Sequence, residues 1–204
     1  SNVTVRNMVV RDNRGIGILI SSATSINIRN VLIENNIVHN NNLKNVNGAV
    51  GGNALVFIQA ENSTARGNRV SHNYGEGLVA GRFTRNIVLE DNTTYDNRGA
   101  NLYVVNSINP VIRRNFIFCT NDPISWRGSG GTYQPGPGLQ LRDESFKKAQ
   151  PPASSGQVIV NNIVVGCGTN FGVSSQIAGG GLNNAIVANN SFINARSVSG
   201  ESAN

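Results

Sequence analysis

The side chains suited to bond-breaking chemistry fall in two short stretches and a few single positions. Glu76 sits with His72 in SHNYGEGL, and Arg142, Asp143 and Glu144 follow the strand-like run from Gly138 to Leu141. Glycoside hydrolysis needs two carboxyl groups at a set separation across the scissile bond. A β-elimination needs a base together with a cation or an arginine to neutralise a uronate. Glu76, Arg142 and Asp143 are the catalytic candidates, and Glu76 with Asp143 or Glu144 would serve either reaction. Arg82, Tyr103, Trp126, Arg127 and Tyr133 are the substrate-binding candidates, because aromatic rings stack on sugars and guanidinium groups pair with carboxylate or sulfate. The competing reading makes these acids and arginines a solvated rim, and Trp126 a residue that packs its loop onto the body of the protein.

These residues hang on a repeat. Val3 opens VTVRNMVVRDN, Ile26 opens INIRNVLIENN, Ser63 opens STARGNRVSHN, Ile87 opens IVLEDNTTYDN and Val111 opens VIRRNFIFCTN. Each copy alternates apolar and polar residues and then breaks at Asn, which is a strand signal followed by a turn signal. Weaker copies start at Val158 and Ile186, and a further strand-like run follows most turns, as in Gly77-Leu78-Val79-Ala80. One period therefore holds about three short strands. The expected fold is all-β: a single-stranded right-handed parallel β-helix, a solenoid of about seven coils. A coil cannot bury its apolar side alone, so coils stack. On this alignment Ile28, Leu89 and Ile112 form one internal file, and Val10, Ile33, Val70, Thr94 and Phe118 another. Asn13, Asn36, Asn73, Asn97 and Asn121 form a turn column. Leu19, Val56, Val79, Tyr103 and Gln140 alternate with buried residues and face outward on one sheet.

The register spans residues 1–204 as one domain. It is interrupted by excursions at about 38–53 and 121–156, the second holding Trp126, the one Trp. Long loops on rigid scaffolds are where function concentrates. The chain enters mid-coil at Val3 with no amphipathic helix before it, so it reads as a segment of a longer protein. Its N-terminal coil is expected to be uncovered or covered by a neighbouring chain, including a second copy.

Composition narrows the partners. With 17 Lys and Arg against 11 Asp and Glu, the formal charge of +6 suits a polyanion. Only Arg113-Arg114 and Lys147-Lys148 are adjacent basic pairs, and no basic stripe with interleaved aromatics exists, so nucleic acid is not expected. No apolar run approaches the roughly 20 residues of a membrane helix. His39 and His72 are the only histidines and lie far from any Cys or acidic cluster, so no metal or other cofactor is expected and nothing supports a Ca²⁺ site.

With its Ile-x-Ile-x-x-Asn and Gly-x-Gly-Ile patterns, the chain resembles the pectate-lyase-like superfamily of right-handed parallel β-helix proteins. The resemblance implies an extracellular or cell-surface protein that acts on or binds a polysaccharide: a lyase or hydrolase, or a non-catalytic binding, adhesion or assembly module. Its best-known enzyme motifs are missing. Asn92 is followed by Thr93 and Thr94, no two Asp are adjacent, and the nearest match to an Arg-x-Pro-x-x-Arg motif, Asn109 to Arg113, lacks its first Arg.

Cys119 and Cys167, the only cysteines, fall near equivalent positions of consecutive coils. Coils stack about 4.8 Å apart, within the roughly 4.4–6.8 Å that disulfide Cα atoms span. A bridge across one rung is expected, and it fits the secreted setting that the resemblance implies.

Overall fold

A computed structural model describes residues 2–22, 28–45, 52–129, 132–146 and 151–196, with the side chains of 127–129, 132 and 133 outside that description. It shows a right-handed β-solenoid built of three parallel sheets. The first sheet stacks Val3–Arg6, Val31–Glu34, Ala60–Arg66, Thr84–Glu90, Val111–Arg113, Val158–Val160 and Ile186–Ala188. The second stacks seven three-residue strands, from Val9–Arg11 to Ser191–Ile193. The third stacks Ile18–Ser21, Asn53–Ile58, Glu76–Ala80, Leu102–Val105, Leu139–Asp143 and Phe171–Ser175. The chain passes from first to second to third sheet in each coil. Side chains of alternating parity from all three enter one continuous apolar core.

Two corners of each coil use left-handed backbone, which Asn and Asp tolerate best. Asn7, Asn35, Asp91, Asn161 and Asn189 turn the chain after the first sheet; Asp12, Asn40, His72 and Asp96 turn it after the second. Beside each corner runs a column of asparagines, buried except at the ends Asn13 and Asn190. Asn36, Asn68, Asn92, Asn115, Asn162 and Asn190 form the first, each side-chain amide donating to the next Oδ1 at 2.9–3.1 Å. Asn13, Asn41, Asn73, Asn97 and Asn101 form the second.

The alignment of the second coil is corrected. Val3 pairs with Val31, not with Ile26. Each coil carries two successive strand-and-Asn half-repeats, and INIRN-VLIEN-NIVHN contains three, so the alignment slid back by one half-repeat. Ile28 consequently lies opposite Ala60, and Ile33 joins Val5, Ala65, Leu89 and Ile112. Val38 takes the place expected for Ile33 beside Val10 and Val70. Val111 pairs with Val88 rather than Ile87, so Ile117 points inward and Phe118 outward. Asn36 belongs to the first column, Asn41 replaces it in the second, and Asn121 belongs to neither.

Outside the first sheet, the position after each core residue reads Arg6, Glu34, Arg66, Glu90 and Arg113 in register. Opposite charges thus alternate up the stack. Arg66 Nη2 meets Glu34 at 2.8 Å and Arg113 Nη2 meets Glu90 at 2.7 Å. Such half-exposed pairs add little stability individually, but a slip of one level would place like charges together, so the column favours the observed stacking.

Candidate functional site

The outer face of the third sheet carries Leu19, Val56, Val79, Tyr103 and Gln140 in one cross-strand file. Val56 and Val79 are buried, forming with Ala100, Tyr103 and Val105 a second, smaller apolar cluster outside the solenoid. Above it opens a groove of about 240 Å³ with an apolar floor of Val56, Ile58, Val79 and Val105. Glu76, Arg82, Tyr103 and Glu144 supply its chemistry.

The scaffold places each of these. Glu76 begins its strand opposite Asn53, and its N–H donates to Gly52 O at 2.9 Å. Gly99 packs so tightly against it that a Cβ there would lie 2.7 Å from Glu76 N, so only glycine allows this stacking. Glu144 follows the Leu139–Asp143 strand, and its N–H donates to Asn106 Oδ1 at 3.0 Å. Tyr103 Oη donates to Glu144 Oε1 at 2.9 Å. Burial, then the negative charge and hydrogen bond of Glu144, push the Tyr103 phenol far above its ordinary range, with Glu76 adding to the effect. Tyr103 therefore stays protonated and serves as the donor to Glu144, with Glu76 lining the same groove. The Arg82 guanidinium lies 4.2 Å from the centroid of the Phe146 ring, at the groove rim.

The other candidates fall elsewhere. Arg142 stands outward between Val105 and Ser174 on neighbouring strands, with its Nε buried and unpartnered. Its charge opposes the upward push on Tyr103, but it does not line the groove. Asp143 is fully buried. Its Oδ1 accepts from Ser154 N and Oγ at 2.9 and 2.6 Å, and its Oδ2 accepts from Gly181 N at 2.6 Å. It ties two returning segments together and does not face the groove. Asp143→Asn is expected to cost about 1.5 kcal/mol in denaturant unfolding, the weakening of charge-assisted bonds to a buried carboxylate; an unchanged midpoint would contradict this role. Trp126 is half-buried with an unpartnered Nε1 and does not line the groove. The side chains of Arg127 and Tyr133 lie outside the described residues; their backbones pair in an antiparallel hairpin, Arg127–Ser129 with Thr132–Gln134. Sequence reasoning placed Glu144 at the edge of the sheet as an alternative to Asp143, and no repeat signal marks its partnership with Tyr103.

Cys119 and Cys167 are disulfide-bonded, with Cα atoms 4.8 Å apart. Among the described residues, no group of three or more His, Cys, Asp or Glu could hold a metal ion. No helix among them is long and apolar enough to cross a membrane.

Comparison with known proteins follows the geometry. A family model described as "Right handed beta helix region" matches residues 1–203. The enzymatically active domain of bacteriophage CBA120 tailspike protein 2 superposes with a TM-score of 0.53 at 13% identity, covering 94% of this chain and 23% of that one. The Azotobacter vinelandii mannuronan C-5 epimerase AlgE4 A-module gives a TM-score of 0.40 at 14% identity, covering 94% of this chain and 57% of that one. The chain thus spans less than two thirds of either protein. No curated protein matches in sequence.

Proposed function

This chain belongs to the right-handed β-helix family, and from that premise we propose that its third-sheet groove binds an acidic polysaccharide and hydrolyses a glycosidic bond. The observation that carries the reading is that Glu76 and Glu144 line one apolar-floored groove, with Glu144 held by the Tyr103 hydroxyl. Two carboxyl groups flanking a sugar are the minimum for glycoside hydrolysis. The apolar floor suits the C–H faces of pyranose rings. Glu144, held by the Tyr103 hydroxyl, acts as the carboxylate that activates water or attacks the anomeric carbon. Glu76 protonates the leaving oxygen. Arg82 at the rim supplies positive charge for a uronate or sulfate, in keeping with the chain's net charge of +6. The Cys119–Cys167 bridge fits an oxidising, extracellular setting. The tailspike domain that shares this fold is enzymatically active, a property of that protein that is compatible with an enzyme here.

The test is a panel of uronate-containing and neutral polysaccharides, read by new reducing ends and by absorbance of unsaturated products. New reducing ends without unsaturated products are expected. Glu76→Gln and Glu144→Gln should each lower the rate by about 100-fold or more, the scale of losing an acid or base. Unsaturated products would replace hydrolysis by β-elimination. Full activity in both variants would remove the groove from the chemistry. Saturable binding with no product would leave a binding module, a second reading that the largely apolar outer file Leu19, Val56 and Val79 favours.

A further inference from the structure

A second cavity opens where the corner after the second sheet meets the 121–125 segment. It measures about 210 Å³ and is lined by Asn40, His72, Tyr74, Asp96, Asp122 and Ile124, among others. None of these residues lines the Glu76–Glu144 groove. Asn40, His72 and Asp96 stack as successive left-handed corner residues, so the solenoid sets three polar side chains at successive levels along one wall. The loop supplies the facing wall.

The parts are rigidly held. Asp96 is buried, its side chain only 3% exposed, and its two oxygens accept from Thr120 N at 2.8 Å and Thr120 Oγ1 at 2.9 Å. His72 Nε2 lies 3.9 Å from Asp96 Oδ2, and its ring meets Tyr95 edge-on at 5.3 Å between centroids. Asp122 caps the short 3-10 turn Pro123–Ser125 by accepting from Ile124 N at 3.0 Å. Arg98 covers the Tyr74 ring at 4.9 Å and donates to Asn45 O and Ile124 O, at 3.1 and 3.4 Å. It thereby locks both loop excursions in place. Ile124 is 66% exposed beside the cavity, an apolar side chain left open at the rim of a polar wall.

We propose that this cavity is a subsite for one neutral sugar residue. The lining is amphipathic in the way a pyranose is: Ile124 and Tyr74 offer apolar surface for its C–H face, while Asp96, Asp122, His72 and Asn40 offer acceptors and donors for vicinal hydroxyls. Drug-sized ligands fill roughly 300–1,000 Å³, so this smaller volume admits a single ring. Two carboxylates in the wall outnumber the one lining arginine, which disfavours a uronate or sulfate. The cavity therefore takes a neutral unit, where the groove with Arg82 takes an acidic one. The proposal rests on the carbohydrate reading above and extends it to a second, neutral unit.

The experiment is NMR titration of the intact chain with maltotriose, cellotriose and mannotriose, and separately with a galacturonate trisaccharide, following the His72 ring resonances. At least one neutral trisaccharide should shift them saturably, and the galacturonate should not. Ile124→Ala, a surface change, and Asp122→Ala should each weaken that binding by tenfold or more, whereas the Glu76→Gln and Glu144→Gln variants should bind as the parent does. No shift with any neutral trisaccharide, a shift with the uronate alone, or unchanged affinity in Ile124→Ala would overturn the subsite. Because the groove variants leave His72 untouched, the two readings separate: a parent chain that cleaves nothing yet shows the saturable His72 shift sinks only the hydrolase reading. Retained cleavage with a silent His72 sinks only this one.

Discussion

Asn68→Ala is expected to destabilise the solenoid by on the order of 3–4 kcal/mol, more than an ordinary surface change by several-fold. The Asn68 side chain is buried and fully engaged. Its Nδ2 donates to Ile33 O at 2.9 Å, Arg66 O at 3.1 Å and Asn92 Oδ1 at 3.0 Å; its Oδ1 accepts from Asn36 N and Asn36 Nδ2, both at 3.0 Å. Truncation strands several of these partners where water cannot reach, and each buried unsatisfied group costs roughly 1–3 kcal/mol. The sum is reduced by local relaxation, which gives the stated range. Asn190 supplies the internal comparison. It ends the same column, partly exposed, and donates to Ile159 O and Ala188 O while accepting from Asn162. Asn190→Ala should cost about half as much, because solvent satisfies part of what it leaves. Denaturant unfolding of the two variants checks this, and equal losses would show that column position does not set the cost.

The asparagine columns also show how far the sequence could be read. Periodicity reported the solenoid, because strand alternation ending in Asn recurs wherever a coil must turn with left-handed backbone. It could not distinguish the two corners. Both use the same apolar-x-x-Asn signature, so Asn36 and Asn41 compete for one slot, and the second coil slid by a half-repeat. The outward file Leu19, Val56, Val79, Tyr103 and Gln140 was legible, since parity alone fixes it once a strand is placed. Tyr103 belongs to that file; Glu76 does not, and only the structure brings the two into one groove. Asp143, one residue from Glu144, has the inward parity of Leu139 and Leu141, but the bonds it makes there were not legible. Its partners Ser154 and Gly181 arrive from segments with no repeat signature. The His72 cavity was hidden for a related reason: its corner residues belong to the repeat, but the facing wall, Asp122 to Ser125, begins where the repeat lapses.

Removing the Cys119–Cys167 bridge is expected to lower stability by about 4 kcal/mol, the closure entropy of a loop with 48 residues of separation in the chain-entropy model. The bridge spans the segment in which the regular coils give way to the 3-10 turn at Pro123–Ser125, the hairpin and the Leu139–Asp143 strand. It also occupies a particular place in the second asparagine column. That column runs through Asn97 to Asn101 and then meets sulfur: Asn101 Nδ2 lies 3.1 Å from Cys119 Sγ and 3.7 Å from Cys167 Sγ. Beyond it Asn170 takes over, accepting from Cys167 N at 3.1 Å and donating to Ile193 O at 2.8 Å. The covalent link thus joins two levels where the excursion interrupts the chain of amides. In the Cys119→Ala, Cys167→Ala double variant, Asn101 loses its sulfur neighbours as well as the loop constraint. The unfolding midpoint of the parent should fall on adding reductant, and that of the double variant should not respond. Thiol titration of unfolded, non-reduced parent should find no free thiol. Two free thiols per chain, or equal midpoints with and without reductant, would show that the coils here are held by stacking alone.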